Sequence, residues 1–328
     1  MYHLGIDVSK AKLDCSLLVN SKKEKFHYKK VSNSEAGFEE LLRWLKGQKV
    51  VHDEVRIIME GTGAYHQKAA YAFYNAGLKV SIVNPATARN FAKGLSIRTK
   101  NDKVDSEILA RFGKAAPLEC WSPPAPEARI LEELRLRLHA LEDDLRRERN
   151  RKEKTEVTLA NKIVIKSIDE SISFLEKQCK KLAEQIKKHI DRHPNLKEDH
   201  GLLTSIPAIG VKAGTGMLAL MRTHNFTSGE QCTSFMGLFP VEKRSGTSVN
   251  ARPKLAKNGP ADMRALLYMP ALVAIRSNPH IKALYERLLE RGKPKKVAIC
   301  AAMRKLVHLC FGVLKTRIPY DPNYGNSL

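Results

Sequence analysis

The chain has 328 residues, with 57 Lys and Arg against 35 Asp and Glu, a formal charge of +22 and 43% hydrophobic residues. This length predicts about two domains, the composition excludes a disordered chain, and a surplus of this size predicts a polyanionic partner, with DNA or RNA first. Cys15, Cys120, Cys179, Cys232, Cys300 and Cys310 form no CxxC pair, which argues against a zinc ribbon or disulfide scaffold and for a reducing cytoplasm.

The charge is uneven. Residues 1–125 carry 20 basic and 13 acidic side chains (+7), residues 126–200 carry 18 and 16 (+2), and residues 201–328 carry 19 and 6 (+13). Three units are expected at these boundaries. In the first, the pattern predicts strands over 3–8, 13–19 and 24–31 as a meander, then a helix over 34–46 with Ser34 as its N-cap. A strand over 55–59, a helix over 65–76, a strand over 79–83 stopped by Asn84-Pro85, and a helix over 103–114 follow. This is a mixed α/β unit.

Pro123, Pro124 and Pro126 mark a linker into the second unit. From Ile130 to about His189 the chain is nearly free of Gly and Pro. Leu131, Leu134, Leu138, Leu141 and Leu145 repeat at spacings of 3 and 4, and a second run spans about 165–190, which predicts a helical hairpin or coiled coil. A spacer or dimerisation arm and an RNA-contacting Lys/Arg face are both compatible with it. The third unit holds the Gly-rich SIPAIGVKAG, a loop over 236–260, and helices around 261–277 and 294–315. The first of these segments suits either a helix-hairpin-helix contact to phosphates or a buried helix–turn–helix corner. No apolar run reaches the ~18 residues of a membrane span and MYHLGIDVSK lacks the form of a signal peptide, so a cytoplasmic protein with no membrane partner, nucleoid-associated when active, is expected.

Four acids stand at informative places. Asp7 ends the first strand, Glu60 ends the VRIIM strand before Gly61-Thr62-Gly63, and Asp102 and Asp105 lie three apart at the start of a predicted helix, on one face. Singly each has an ordinary reading: Asp7 as a turn residue, Asp102 as an N-cap, Asp105 as a first-turn acid favouring the helix dipole. Together they repel unless a cation joins them, and Mg²⁺ or Mn²⁺ on hard oxygen ligands suits phosphodiester cleavage. The set of four is the layout of a ribonuclease H-like (RuvC-type) nuclease.

GIDVSK, MEGTGAY, VNPATARNFA and KNDKVDSEILA, followed by IPAIGVKAG, SFMGLFP, SGTSV and RALLYMPALVA, occur in one order along nearly the whole chain. In this the sequence resembles the DEDD-type transposases of the "IS one-ten" insertion-sequence family. The resemblance implies an N-terminal RuvC-like domain with Mg²⁺ on Asp7, Glu60, Asp102 and Asp105. It implies a mostly helical C-terminal transposase domain whose catalytic serine, here Ser245, attacks a DNA phosphate and holds the cut end as a phosphoserine link. It also implies a structured bridge RNA that pairs with donor and target DNA, and an assembly of two or four protomers.

From the residues alone Ser245 is an ordinary loop serine, with Thr247 and Ser248 as rival hydroxyls and no neighbouring base. The carboxylate site must therefore be brought to it, within one protomer or across two. Lys243, Arg244, Arg252, Lys254 and Lys257 place five cations around it, and Lys293, Lys295 and Lys296 form a second basic group, both suited to nucleic-acid phosphates. Aromatics are only 6%, so backbone recognition with marked salt dependence is expected over base stacking. Three other readings fit parts of the sequence: a structure-selective nuclease using the same acids without the serine, a non-catalytic nucleic-acid-binding protein, and an actin-like sugar kinase with GIDVSK as a phosphate loop. Against the kinase, the sequence offers no second phosphate motif and the charge would be unexplained.

Overall fold

Tight connections set the N-terminal strands antiparallel in sequence: β1 (Tyr2–Val8), β2 (Lys12–Asn20) and β3 (Lys25–Ser32) form the expected meander. The computed structural model describes residues 1–20, 23–48, 50, 52–61, 63–95, 97, 101–158, 161–245 and 249–323, with the side chains at 20, 52, 243–245 and 249–252 outside that description. The chain divides into two units, Met1–Pro123 and Pro124–Leu328.

In the first unit, Ser34 caps α1 (Glu35–Gly47) by accepting the Gly37 amide, and the helix buries Phe38, Leu41 and Leu45. β4 (Val55–Glu60) joins β1 in parallel. After α2 (Tyr65–Asn75), β5 (Lys79–Val83) joins β4 in parallel. The sheet order is β3-β2-β1-β4-β5, three antiparallel strands continued by two parallel ones, which is the ribonuclease H-like arrangement. α3 (Pro85–Gly94) and α4 (Asp102–Ala115) complete the unit.

Strand alternation sorts the side chains between two faces. Leu4, Ile6, Val8, Ile57 and Met59 pack with Phe38, Leu41 and Phe73 of α1 and α2. Ile58 packs with Ala88 of α3 and with Leu109 and Phe112 of α4. Gly5, Asp7 and Glu60 share the parity of Ile58, so the sheet turns them toward α4.

In the second unit, α5 (Pro126–Val157) and α6 (Lys162–Arg192) run antiparallel. A His189 ring nitrogen lies 2.8 Å from the Glu127 carbonyl oxygen at one end of the pair, and Lys152 meets Asp169 at 2.7 Å near the other. The leucine seam is partly spent within the chain: Leu131 is fully buried, and Leu134 and Leu138 pack on the core of the remaining helices. Those are α7 (Pro194–Thr204), α8 (Val211–Thr223), α9 (Gly229–Phe235), α10 (Ala261–Ser277), α11 (Pro279–Glu290) and α12 (Lys295–Thr316). Between α7 and α8, Ile206 and Ile209 are buried while Val211 and Lys212 are exposed, so the Gly-rich turn is anchored in the core and presents the start of α8 at the surface.

Several segments depart from expectation. Pro85 stops β5, as expected, but also starts α3, where the Asn84 side chain accepts the Ala86 amide at 2.8 Å; proline favours both roles. The N-cap of α4 is Asn101, not Asp102: its side chain accepts the Val104 amide at 2.8 Å. The expected loop over 236–260 contains an antiparallel hairpin, β6 (Pro240–Ser245) with β7 (Val249–Leu255). By length and mean composition α12 is apolar enough to cross a membrane, although Arg304, Lys305 and His308 interrupt its apolar run. Its apolarity has a core explanation, since Ala298, Ala302, Leu306, Val307 and Cys310 are fully buried.

Candidate active site

The β1–β2 and β1–β4 ladders place the acids. Asp7 pairs across the ladder with Asp14, and Gly5 with Ser16. On the other side β1 and β4 pair through Ile6 and Met59, so Asp7 and Glu60 are the next residues of two adjacent parallel strands. Asp102 and Asp105 occupy the first turn of α4, one helical turn apart on a single face. α4 is tied to β2 by Ser106, whose hydroxyl lies 2.7 Å from that of Ser16. Three elements therefore gather Asp7, Glu60, Asp102 and Asp105.

The charges of the other acids act on Asp7. The Asp7 carboxyl is pushed up to about 6, first by burial and then by Asp105, Asp102, Asp14 and Glu60. Each added negative charge disfavours ionisation of the next.

The sequence reading missed a polar belt beside them. Asp14 is only 2% exposed, yet it is not orphaned: the Tyr28 hydroxyl donates to it, and the ammonium groups of Lys12 and Lys30 each lie 3.5 Å away. Burial, then the bond to Asp14, pushes the Tyr28 phenol up to about 12. Lys12 also donates to Asp102 at 2.6 Å. That bond holds Asp102 below the usual carboxylate range and Lys12 above the usual ammonium range. The available signal was the alternation of KLDCSLL: Leu13, Cys15 and Leu17 point to one core, which leaves Asp14 and Ser16 on the face of Asp7.

The donor set suits a divalent cation. All its members are hard carboxylate oxygens and they repel one another. The Lys12 ammonium already serves as a stand-in cation at Asp102. Among the described residues, no group of three or more His, Cys, Asp or Glu side chains closes into a coordinating arrangement.

In the second unit, Ser245 is the last residue of β6, opposite Val249. Its side chain and those of Lys243, Arg244 and Arg252 lie outside the described residues, as do Thr247 and Ser248 entirely. The base of the hairpin is fixed. The Ala256 amide donates to the Phe239 carbonyl at 3.0 Å, and Arg264 donates to the carbonyls of Met236 at 3.0 Å and Gly259 at 2.7 Å. Gly237 adopts φ +66, a conformation that favours glycine. Lys254 and Lys257 are exposed. Lys257 also lies close enough to α12 to act on Cys300, opposing the upward push of burial on that thiol. Lys293, Lys295 and Lys296 are exposed at the start of α12, whose first turn has no acid. Cations there oppose the helix dipole.

Residues 4–155 match the family model DEDD_Tnp_IS110, a transposase, and residues 200–286 match the transposase IS116/IS110/IS902 family. The chain is 32% identical over 323 residues to the pilin gene-inverting protein of Moraxella lacunata, covering 97% of each chain. The pilin gene-inverting protein of Moraxella bovis matches equally, at 32% over 323 residues and 97% of each chain. Among solved structures, RuvC of T. thermophilus in complex with a Holliday junction substrate is 12% identical, with 37% of this chain and 99% of that chain covered and a TM-score of 0.28. The class of protein is a DNA transposase or recombinase, an enzyme. The chain belongs to the IS110 family of DEDD transposases, the "IS one-ten" family of the sequence motifs.

Proposed function

We propose that this transposase cuts and rejoins DNA with two cooperating groups: a metal-dependent site on Asp7, Glu60, Asp102 and Asp105, and Ser245 as nucleophile. The observation that carries this reading is the convergence of the four acids on one face of the sheet, where their charges act on Asp7. Bound there, Mg²⁺ or Mn²⁺ would polarise phosphate oxygens and favour loss of a proton from an attacking hydroxyl. The Ser245 hydroxyl loses its proton and its oxygen bonds to phosphorus. The DNA P–O bond breaks, and the departing sugar hydroxyl takes up a proton. Attack by another strand's hydroxyl on the phosphoserine ester reverses the step and rejoins DNA without an external energy source.

Around this chemistry, Lys243, Arg244, Arg252, Lys254, Lys257, Lys293, Lys295 and Lys296 bind donor and target double-stranded DNA and a structured bridge RNA through phosphates. The α5–α6 pair acts as a coiled-coil contact between protomers of a dimer or tetramer in the cytoplasm, leaving the units 1–125, 126–200 and 201–328 with separate tasks. Inversion of a DNA segment, the activity in the names of the Moraxella relatives, is one product this chemistry can give.

The test is recombination by Ser245→Ala and Asp7→Asn proteins on a paired donor and target. Wild type should give a covalent protein–DNA adduct that survives denaturation, and Ser245→Ala none. Cleavage by Ser245→Ala at the wild-type rate would instead identify a hydrolytic, structure-selective nuclease. Sequencing nucleic acid that co-purifies with the protein should recover one discrete RNA; its absence would overturn the guided mechanism.

A further inference from the structure

Lys12 bonds directly to one acid of the site, and its position is specific. It sits on β2 two residues before Asp14, on the same strand face, at 3.5 Å from the Asp14 carboxylate and 2.6 Å from that of Asp102. One ammonium thus bridges an acid of the sheet and an acid of α4. The two ends differ: Asp14 is 2% exposed and also held by Lys30 and Tyr28, whereas Asp102 is 52% exposed. Asp14 is therefore the fixed anchor and Asp102 the replaceable contact.

We propose that Lys12 is a positioning residue that occupies Asp102 until a divalent ion displaces it, with Asp14 retaining the displaced ammonium. This rests on the reading of Asp7, Glu60, Asp102 and Asp105 as a metal site. A divalent ion and a lysine compete for the same carboxylate oxygens, and the ion offers more charge and several coordination positions. The exchange needs no large motion, because the ammonium already touches its second acceptor. Before the ion arrives, the same bridge holds the start of α4 to β2, keeping Asp102 and Asp105 over the sheet. The bridge would also make ion entry competitive, so the site would charge only at sufficient metal concentration.

The test is calorimetric titration of Mn²⁺ into the full-length protein without DNA. Lys12→Met should bind Mn²⁺ about two- to fivefold more tightly, the range of a partly exposed ion pair, and Lys12→Gln serves if Lys12→Met folds poorly. Lys10→Met removes an equally charged, exposed neighbour two residues away and should leave the affinity at the wild-type value. The gain should vanish when Lys12→Met is combined with Asp102→Asn, because the competition acts through that carboxylate. Unchanged or weaker binding by Lys12→Met, an equal gain from Lys10→Met, or a gain that survives Asp102→Asn would each overturn the proposal while leaving the metal site standing. Absence of Mn²⁺ binding by wild type, or binding indifferent to Asp102→Asn alone, would overturn both.

Discussion

A Cβ on Gly5 would lie 1.9 Å from the carbonyl oxygen of Ser106 and 2.5 Å from the amide nitrogen of Ala110. Gly5 is thus the point on β1 where α4 rests backbone against sheet, two residues before Asp7 and one helical turn past Asp102. The close approach sets the height of Asp102 and Asp105 over the strand acids. Gly5→Ala must lift α4, and overpacking of this kind costs about 1–3 kcal/mol. The expected outcome is a lower thermal midpoint together with loss of strand cleavage. A variant with wild-type stability and activity would show that α4 docks elsewhere.

Asp7 illustrates the opposite balance. Its carboxyl is raised from 3.8 to about 6, so between those values the folded chain binds more protons than the unfolded one. Stability contributed by this group therefore falls as pH rises through that window, and the full penalty is present above pH 6. Asp7→Asn should stabilise the metal-free protein at pH 7.5 by on the order of 1 kcal/mol, discounted for partial solvent access, while abolishing recombination. Thermal unfolding in EDTA and a cleavage assay check the two halves separately.

The lysines at the start of α12 make a prediction about salt. Replacing Lys293, Lys295 and Lys296 by Ala should reduce the slope of log affinity for DNA against log salt by about 2–3, at ~0.9 for each phosphate no longer neutralised. The thermal midpoint should hold or rise, since three charges unfavourable to the helix dipole are removed. An unchanged slope would show that these side chains do not touch phosphate.

His224, in the second unit, supplies a further pH dependence. It is stacked on Phe226 at 5.3 Å and tilted against Phe235 at 4.4 Å, and burial lowers its pKa below the usual 6.5. Below 6.5 the unfolded chain takes up the proton first, so the stability contributed by neutral His224 is present above 6.5 and lost as pH falls through the folded value. His224→Phe keeps the ring contacts and should flatten the acid limb of a stability profile below pH 6.5. An unaltered limb would assign it to other groups.

Much of this architecture was readable in the chain, and the omissions share a cause. Short apolar runs marked β1, β2 and β4, alternation marked β3, and the 3–4 leucine spacing marked α5. The helix α3 escaped because a proline after a strand reads equally as a stop and as a first helical turn. The hairpin around Ser245 escaped because VEKRS and VNARPKL carry charge where a half-buried strand would carry apolar side chains. Asp7, Glu60, Asp102 and Asp105 were legible because each sits at the end of a regular element. Asp14 and Lys12 were not, since their importance lies in cross-strand and strand–helix pairings that only the sheet order creates.

The acids and the serine are carried by different cores: among the described residues, no buried residue packed around the sheet belongs to the cluster that supports α8, α10 and α12. In genetic terms, the two groups of the proposed chemistry are then separable lesions. A chain damaged at Asp7 keeps an undamaged serine unit, and a chain damaged at Ser245 keeps an undamaged acidic one. Two inactive alleles of this kind expressed in one cell can each donate the half the other lacks, so complementation between them would report that a working recombination centre is shared between chains.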